Sequence, residues 1–225
     1  MLVLGQWAPD WLPLPPALPL GLCRWRGPAG ADRVALTFDD GPHPDTTPTV
    51  LDSLDELGVR ATFFCLGELV ERHPGVLQLI LERGHEVGLH GQRHVHHLAR
   101  SARFIRRDLA AGLTALEREG VRPRFYRPPY GQVSGGTLVA ARSLGLELVL
   151  WSAWGREWRD PDPASVAQRI GRRLGPGSIV LLHDTEHTSP PGSWRVGLAA
   201  LPLVVADCER RGLRPVTMSE LAGGG

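Results

Sequence analysis

The sequence contains no lysine and no asparagine, so all 25 of its basic residues are arginine. That narrow composition names no chemistry. Acidic residues number 24, which leaves a formal net charge of +1 and no single-signed field to gather nucleic acid or anionic lipid. No stretch reaches the roughly 20 apolar residues that a membrane helix requires, because Pro13, Pro15, Pro16 and Pro19 break the one candidate. The three cysteines, Cys23, Cys65 and Cys208, are odd in number and far apart. They fit neither a disulfide framework nor a paired-cysteine zinc site and read as structural thiols. The start also lacks the basic region and unbroken apolar core of a secretory signal, since Asp10 comes early and the first basic residue is Arg24. Export by that route is not expected, and the compartment stays open. No heptad or strand edge separates an interface from core, so the oligomeric state is not read either.

What is present is a regular alternation. A length of 225 residues suits one (β/α) barrel domain of about 200–250 residues. Residues 1–30, rich in proline, tryptophan and glycine, read as an irregular arm whose Trp7, Trp11, Leu18 and Trp25 are expected to cover a barrel end or a groove. From 31 to 225 short apolar runs alternate with amphipathic stretches, as in βα units. Strands are expected over 34–38, 61–66, 86–89, 124–126, 146–151, 178–182 and 215–217. Helices are expected over 47–57, 69–83, 104–119, 137–144, 164–174 and 195–211, with Gly58, Gly84, Gly120, Gly145, Gly175 and Gly212 capping their C-termini. The expected fold is a distorted (β/α) barrel with about seven parallel strands.

Parallel α/β folds carry their sites on the loops after the strands. Asp39 and Asp40 follow the first strand, and as neighbours on an extended chain they point opposite ways and suit different roles. His90 and His94 follow the third, four residues apart, a spacing that sets two imidazoles on one side of a helical turn. With one carboxylate they make a two-histidine, one-carboxylate metal set with open positions. Arg127 and Tyr130 follow the fourth strand, Glu157 the fifth, and His183 with Asp184 the sixth. Five strand ends therefore aim polar groups at one rim. Each group taken singly also has an ordinary structural explanation: a turn, a rim histidine, a loop pinned by an arginine.

Taken together they carry a resemblance. Thr37-Phe38-Asp39-Asp40-Gly41-Pro42, His90-Gly91-Gln92-Arg93-His94, Arg127-Pro128-Pro129-Tyr130-Gly131 and Leu181-Leu182-His183-Asp184 are similar, in order and spacing, to four signatures of the polysaccharide deacetylases, the NodB-like carbohydrate esterases. The resemblance spans about residues 32–219. It implies a metal-dependent hydrolase that removes N-acetyl groups from amino-sugar polymers or oligomers, such as peptidoglycan, chitin-like polymer or chitooligosaccharide. Residue by residue, it implies that Asp40, His90 and His94 hold the metal, Asp39 is the general base and His183 the general acid. Arg127 orients Asp39, and the Tyr130 N–H helps stabilise an oxyanion. Zinc fits those ligands well, with cobalt, nickel, iron and manganese left open.

Two departures stand out. Gly91 occupies the position where the family has serine or threonine, so a loop-bracing hydrogen bond is expected to be lost. The fourth signature, an aspartate pair followed by tryptophan, reads here Trp154-Gly155-Arg156-Glu157-Trp158. The carboxylate partner of His183 is therefore in question, with Glu157 and Asp184 the alternatives. Pro129, Tyr130, Trp154, Glu157 and Trp158 are assigned to the substrate groove, and Trp151 and Trp194 are further candidates for a sugar-stacking wall. The alternatives are a deacetylase or amidase of another substrate, such as O-acetyl xylan or a formamido sugar lipid, and a non-catalytic carbohydrate-binding relative.

Overall fold

The computed structural model describes residues 22–28 and 30–223. Trp7, Trp11 and Leu18, and most of the expected arm, lie outside the described residues. Eight strands alternate with helices along the chain: β1 (Arg33–Asp39), α1 (Thr47–Glu56), β2 (Thr62–Leu66), α2 (Gly67–Arg72), α3 (Pro74–Glu82), β3 (Glu86–Gly91), α4 (Ala102–Arg118), β4 (Phe125–Tyr126), α5 (Gly135–Ser143), β5 (Glu147–Leu148), β6 (Ala153–Trp154), α6 (Pro163–Gly171), β7 (Ile179–His183), α7 (Ser193–Arg210), β8 (Arg214–Val216) and α8 (Met218–Leu221). All pair in parallel in the order β5-β4-β3-β2-β1-β7-β6, with β8 beside the first three residues of β1.

The two ends of that order, β5 and β6, are separated in sequence only by residues 149–152. One short stretch of chain therefore closes the curled sheet. Its expected single strand over 146–151 is broken because it changes neighbours midway: the Val149 N–H donates to the Tyr126 carbonyl at 2.8 Å, whereas the Ser152 N–H donates to Ile179 at 3.0 Å. Between them the Leu150 N–H donates to the Arg24 carbonyl at 2.7 Å, and the Arg24 N–H donates to Leu148 at 2.8 Å. The 22–28 stretch thus fills the seam, with a second bridge from Arg26 to Ser178. Trp25, expected to cover a groove, stays 42 % exposed beside one lined by Leu138 and Val139.

The two-residue period of the strands sorts side chains to two cores. Val34, Leu36 and Phe38 face out to the helices in the larger cluster. Ala35 faces in with Phe64, Phe125, Val149 and Ile179. The barrel is thus packed with side chains below its C-terminal rim, as such barrels are.

Local chemistry explains the remaining departures. The expected helix over 69–83 is two helices, because Pro74 lacks an N–H and takes the first position of α3 after a non-helical His73 at φ −134°, ψ 54°. Five of the six expected cap glycines are left-handed; beyond α6 it is Gly177, not Gly175, that turns at φ 74°. The unexpected α8 starts at a capping box formed by Thr217 and Glu220.

Packing is tight where β3 passes the inner cluster: a Cβ on Gly88 would lie 2.6 Å from the Phe64 ring and 3.3 Å from the Phe125 carbonyl oxygen. Gly88→Ala is expected to lose about 1–3 kcal/mol of stability by overpacking, read as a lower denaturation midpoint with an unchanged denaturant slope. A midpoint equal to that of the parent protein would show that the inner layer has slack.

Candidate active site

On the inner face of the sheet Asp39 of β1 pairs in register with His183 of β7, so the two side chains are neighbours at the C-terminal rim. Asp40 would point away on a continued strand. Instead it turns at φ 79°, and both carboxylates, with His90, His94, Tyr130, Gly131, Trp151, Trp154, Trp158, Leu181, His183 and Thr188, line one cleft.

Arg127, fully buried, supports that cleft from below. Its Nη1 donates to Asp39 Oδ1 and to Thr37 Oγ1, both at 2.7 Å, and its Nη2 donates to the Leu150 carbonyl at 3.1 Å. The guanidinium carbon lies 4.1 Å from the centre of the Phe64 ring. Burial lowers the pKa of the guanidinium, opposed by the Asp39 charge. Arg127 also reaches the metal side of the cleft through its backbone, because its carbonyl sits 2.8 Å from His90 Nδ1. A carbonyl only accepts, so Nδ1 carries the proton and Nε2 keeps its lone pair.

That lone pair faces Asp40 Oδ1 at 3.2 Å, as does His94 Nε2, also at 3.2 Å. Asp40 Oδ1 is buried and has no hydrogen-bond partner of acceptable geometry. A carboxylate oxygen confronting an imidazole lone pair in a dry site calls for a cation. Burial would raise the Asp40 pKa, but His94 and His90 outweigh it and hold the carboxyl well below the usual range. Burial lowers the His94 pKa, which favours the neutral ring that a metal needs. Among the described residues, Asp40, His90 and His94 are the group able to share an ion.

The loop between these histidines is not left unbraced by Gly91. Asp108, on the inward face of α4, accepts from the Gln92 N–H at 3.0 Å. A Cβ at position 91 would come within 3.0 Å of that same carboxylate, with φ at 108°. The glycine and Asp108 thus replace the expected hydroxyl brace. The signal for Asp108 in the sequence is an acidic residue on the otherwise apolar stripe of Ile105, Leu109, Gly112 and Leu116.

The question raised by the fourth signature has a geometric answer. Glu157 Oε1 lies 2.7 Å from His183 Nδ1, with the Glu157 side chain 1 % exposed. Glu157 therefore sits behind the imidazole and not on the groove wall to which the sequence assigned it, and it leaves Nε2 for the cleft. Burial lowers the His183 pKa, but Glu157 first, then Asp40 and Asp39, raise it to about 9. Asp184, the other alternative, instead accepts from Thr47 Oγ1, and burial pushes its pKa up to about 7.

Trp151, Trp154 and Trp158 form a continuous wall, with ring centres 5.5 and 5.6 Å apart, and the edge of Trp158 meets His183 at 5.3 Å. Trp194 is not part of it but packs in the outer core. Pro129 is buried in the turn below. Tyr130, left-handed at φ 58°, forms the facing rim, packed against His94 and stacked on the exposed His96 at 3.9 Å.

A parallel barrel that gathers an Asp-His-His set, a second carboxylate and a carboxylate-backed histidine at its C-terminal rim has the layout of a metal-dependent hydrolase. The polysaccharide deacetylase family model matches residues 26–149. A peptidoglycan-N-acetylglucosamine deacetylase of Bacillus cereus is 34% identical over 206 residues, 90% of this chain and 94% of that protein. A chitooligosaccharide deacetylase of Sinorhizobium fredii is 37% identical over 161 residues, 71% of this chain and 75% of that protein. Among solved structures, a peptidoglycan N-acetylglucosamine deacetylase in complex with a naphthyl-substituted N-hydroxybenzamide superposes with a TM-score of 0.84 at 30% identity, covering 91% of this chain and 94% of the other. A family pseudoenzyme from Bacillus anthracis superposes with a TM-score of 0.80 at 25% identity, covering 89% and 68%. The chain belongs to the polysaccharide deacetylase family, a metal-dependent family, and carries an Asp-His-His site of the kind that dependence requires.

The Glu157 contact sets the charge on His183, and this gives a prediction. If His183 acts protonated, turnover is lost as pH rises through its pKa, raised in the native protein to about 9. Glu157→Gln keeps the shape but removes the charge, so the alkaline limb of the pH–rate profile should move to lower pH. Coincident limbs in the two proteins would show that this pair does not set the profile.

Proposed function

We propose that the protein hydrolyses the N-acetyl groups of amino-sugar polymers or oligomers, with peptidoglycan, chitin-like and chitooligosaccharide substrates all compatible with its cleft. The observation that carries the reading is the placement of Asp39 and His183 side by side in register, each backed by an opposite charge and both facing the Asp40, His90 and His94 group. The peptidoglycan and chitooligosaccharide activities named for the relatives point the same way.

Asp40, His90 and His94 would hold the ion, and we take it to be zinc, whose preference for nitrogen and oxygen ligands with open positions suits this set. Bound there, a divalent ion supplies Lewis-acid polarisation of the acetamide carbonyl and a more acidic water. Asp39, fixed by Arg127, accepts the proton of the attacking water as its oxygen adds to the carbonyl carbon. The Tyr130 N–H, at the left-handed rim turn, donates to the developing oxyanion. His183 gives its Nε2 proton to the sugar nitrogen as the C–N bond breaks, yielding acetate and the free amine. Glu157 holds the imidazole in orientation and stabilises its charge while it carries that proton. The tryptophan wall offers flat faces to pyranose rings.

Incubated with zinc and N-acetylglucosamine oligomers, the protein should lower substrate mass by whole acetyl groups, and a chelator should stop it reversibly. Asp39→Asn and His183→Gln should each cost roughly 10²–10⁴-fold in kcat. Faster acetate release from acetylated xylan would move the substrate to O-acetyl sugars. Oligomer binding without acetate release would place the protein with the non-catalytic relatives.

A further inference from the structure

Thr188 belongs to none of the signature stretches. It stands on the loop after β7, exposed to solvent, yet its hydroxyl lines the cleft and donates to Asp40 Oδ2 at 2.6 Å. The loop is held around it: the Gly192 N–H donates to Glu186 Oε2 at 2.5 Å, and the Ser189 N–H donates to the Glu186 carbonyl at 3.2 Å. On the far side His187 Nε2 lies 3.9 Å from Glu68 Oε1, at the start of α2. The loop therefore reaches from β7 to α2 and delivers one hydroxyl onto one carboxylate oxygen.

We infer that Thr188 is a positioning residue for the metal centre, acting through Asp40. Asp40 has two oxygens with different surroundings. Oδ1 faces the Nε2 atoms of His90 and His94 and has no hydrogen-bond partner, whereas Oδ2 takes the Thr188 hydroxyl. One hydrogen bond thus occupies one oxygen and fixes the plane of the carboxylate so that the other remains for the ion. Asp40 follows a left-handed backbone turn beyond the end of β1, so the ladder does not fix its side chain. The hydroxyl supplies that constraint. Partners behind metal ligands act this way generally, and their removal costs roughly 10–100-fold in metal affinity or activity.

The inference rests on the metal-site reading, and the two separate in one experiment. Zinc affinity of the full chain is measured by competition with a chromogenic chelator, alongside apoprotein melting temperature, for the parent protein, Thr188→Val and Thr188→Ser. Thr188→Val keeps the shape without the hydroxyl and should bind zinc roughly 10–100-fold more weakly, with the apoprotein melting temperature unchanged. Thr188→Ser should restore affinity. Equal affinity in the parent protein and Thr188→Val would overturn the role of Thr188. A parent protein that binds no zinc would instead overturn the metal-site reading. A serine variant as weak as the valine one would show that a hydroxyl at this position does not hold the affinity and would also overturn the inference.

Discussion

The structure depends on one buried cation. A fully desolvated guanidinium is costly unless its charge is balanced and its N–H groups are matched, and breaking a buried ion pair typically costs about 3–5 kcal/mol. Arg127 balances its charge with Asp39 and matches both terminal nitrogens, leaving only Nε without a partner, by tying together parts of the fold that no single ladder joins: Asp39 and Thr37 on β1, the Leu150 carbonyl at the seam between β5 and β6, and the Phe64 ring from β2. Its backbone oxygen also fixes the His90 tautomer. The residue that seals the barrel rim is therefore the residue that sets the geometry of base and ligand. This coupling explains why so much polarity is tolerated at 0–9 % exposure in one place: Asp39, Asp40, His90, Arg127, Glu157, His183 and Asp184 are all that buried. Each buried charge there has an opposite charge or a donor beside it, which keeps the cost of burial payable.

Much of this was legible in the sequence because barrel folds translate order into place. An apolar run followed by polar residues means a strand end, strand ends share one rim, and so the residues of separate motifs meet. What was not legible are the contacts set by backbone angles and by loops. That Asp39 and Asp40 both enter the cleft follows from a left-handed Asp40; strand alternation alone sends them to opposite faces. Glu157 read both as a groove-wall residue and as one of two candidate partners of His183, because its motif had lost its usual letters, and only the packing of its loop decides for His183 Nδ1. The strand over 146–151 failed for a similar reason: its apolar pattern was correct, but no local signal shows that its two halves belong to opposite edges of the sheet.

The departures from the family pattern compensate locally. Gly91 removes a hydroxyl, and Asp108 supplies the acceptor from a neighbouring helix. Trp154 replaces a carboxylate, and the charge retained at Glu157 is the one that touches the imidazole. In both cases the side chain changed while the electrostatic demand of the atom it served was still met. The pseudoenzyme among the structural relatives shows that this fold persists without its chemistry, so the argument for catalysis lies in those atom-level demands and not in the barrel. A protein relieved of turnover has no need to keep a buried carboxylate against a buried imidazole, or a carboxylate oxygen unpartnered between two ring nitrogens. Both arrangements are unfavourable in an idle core and useful only where a proton and a cation have work to do.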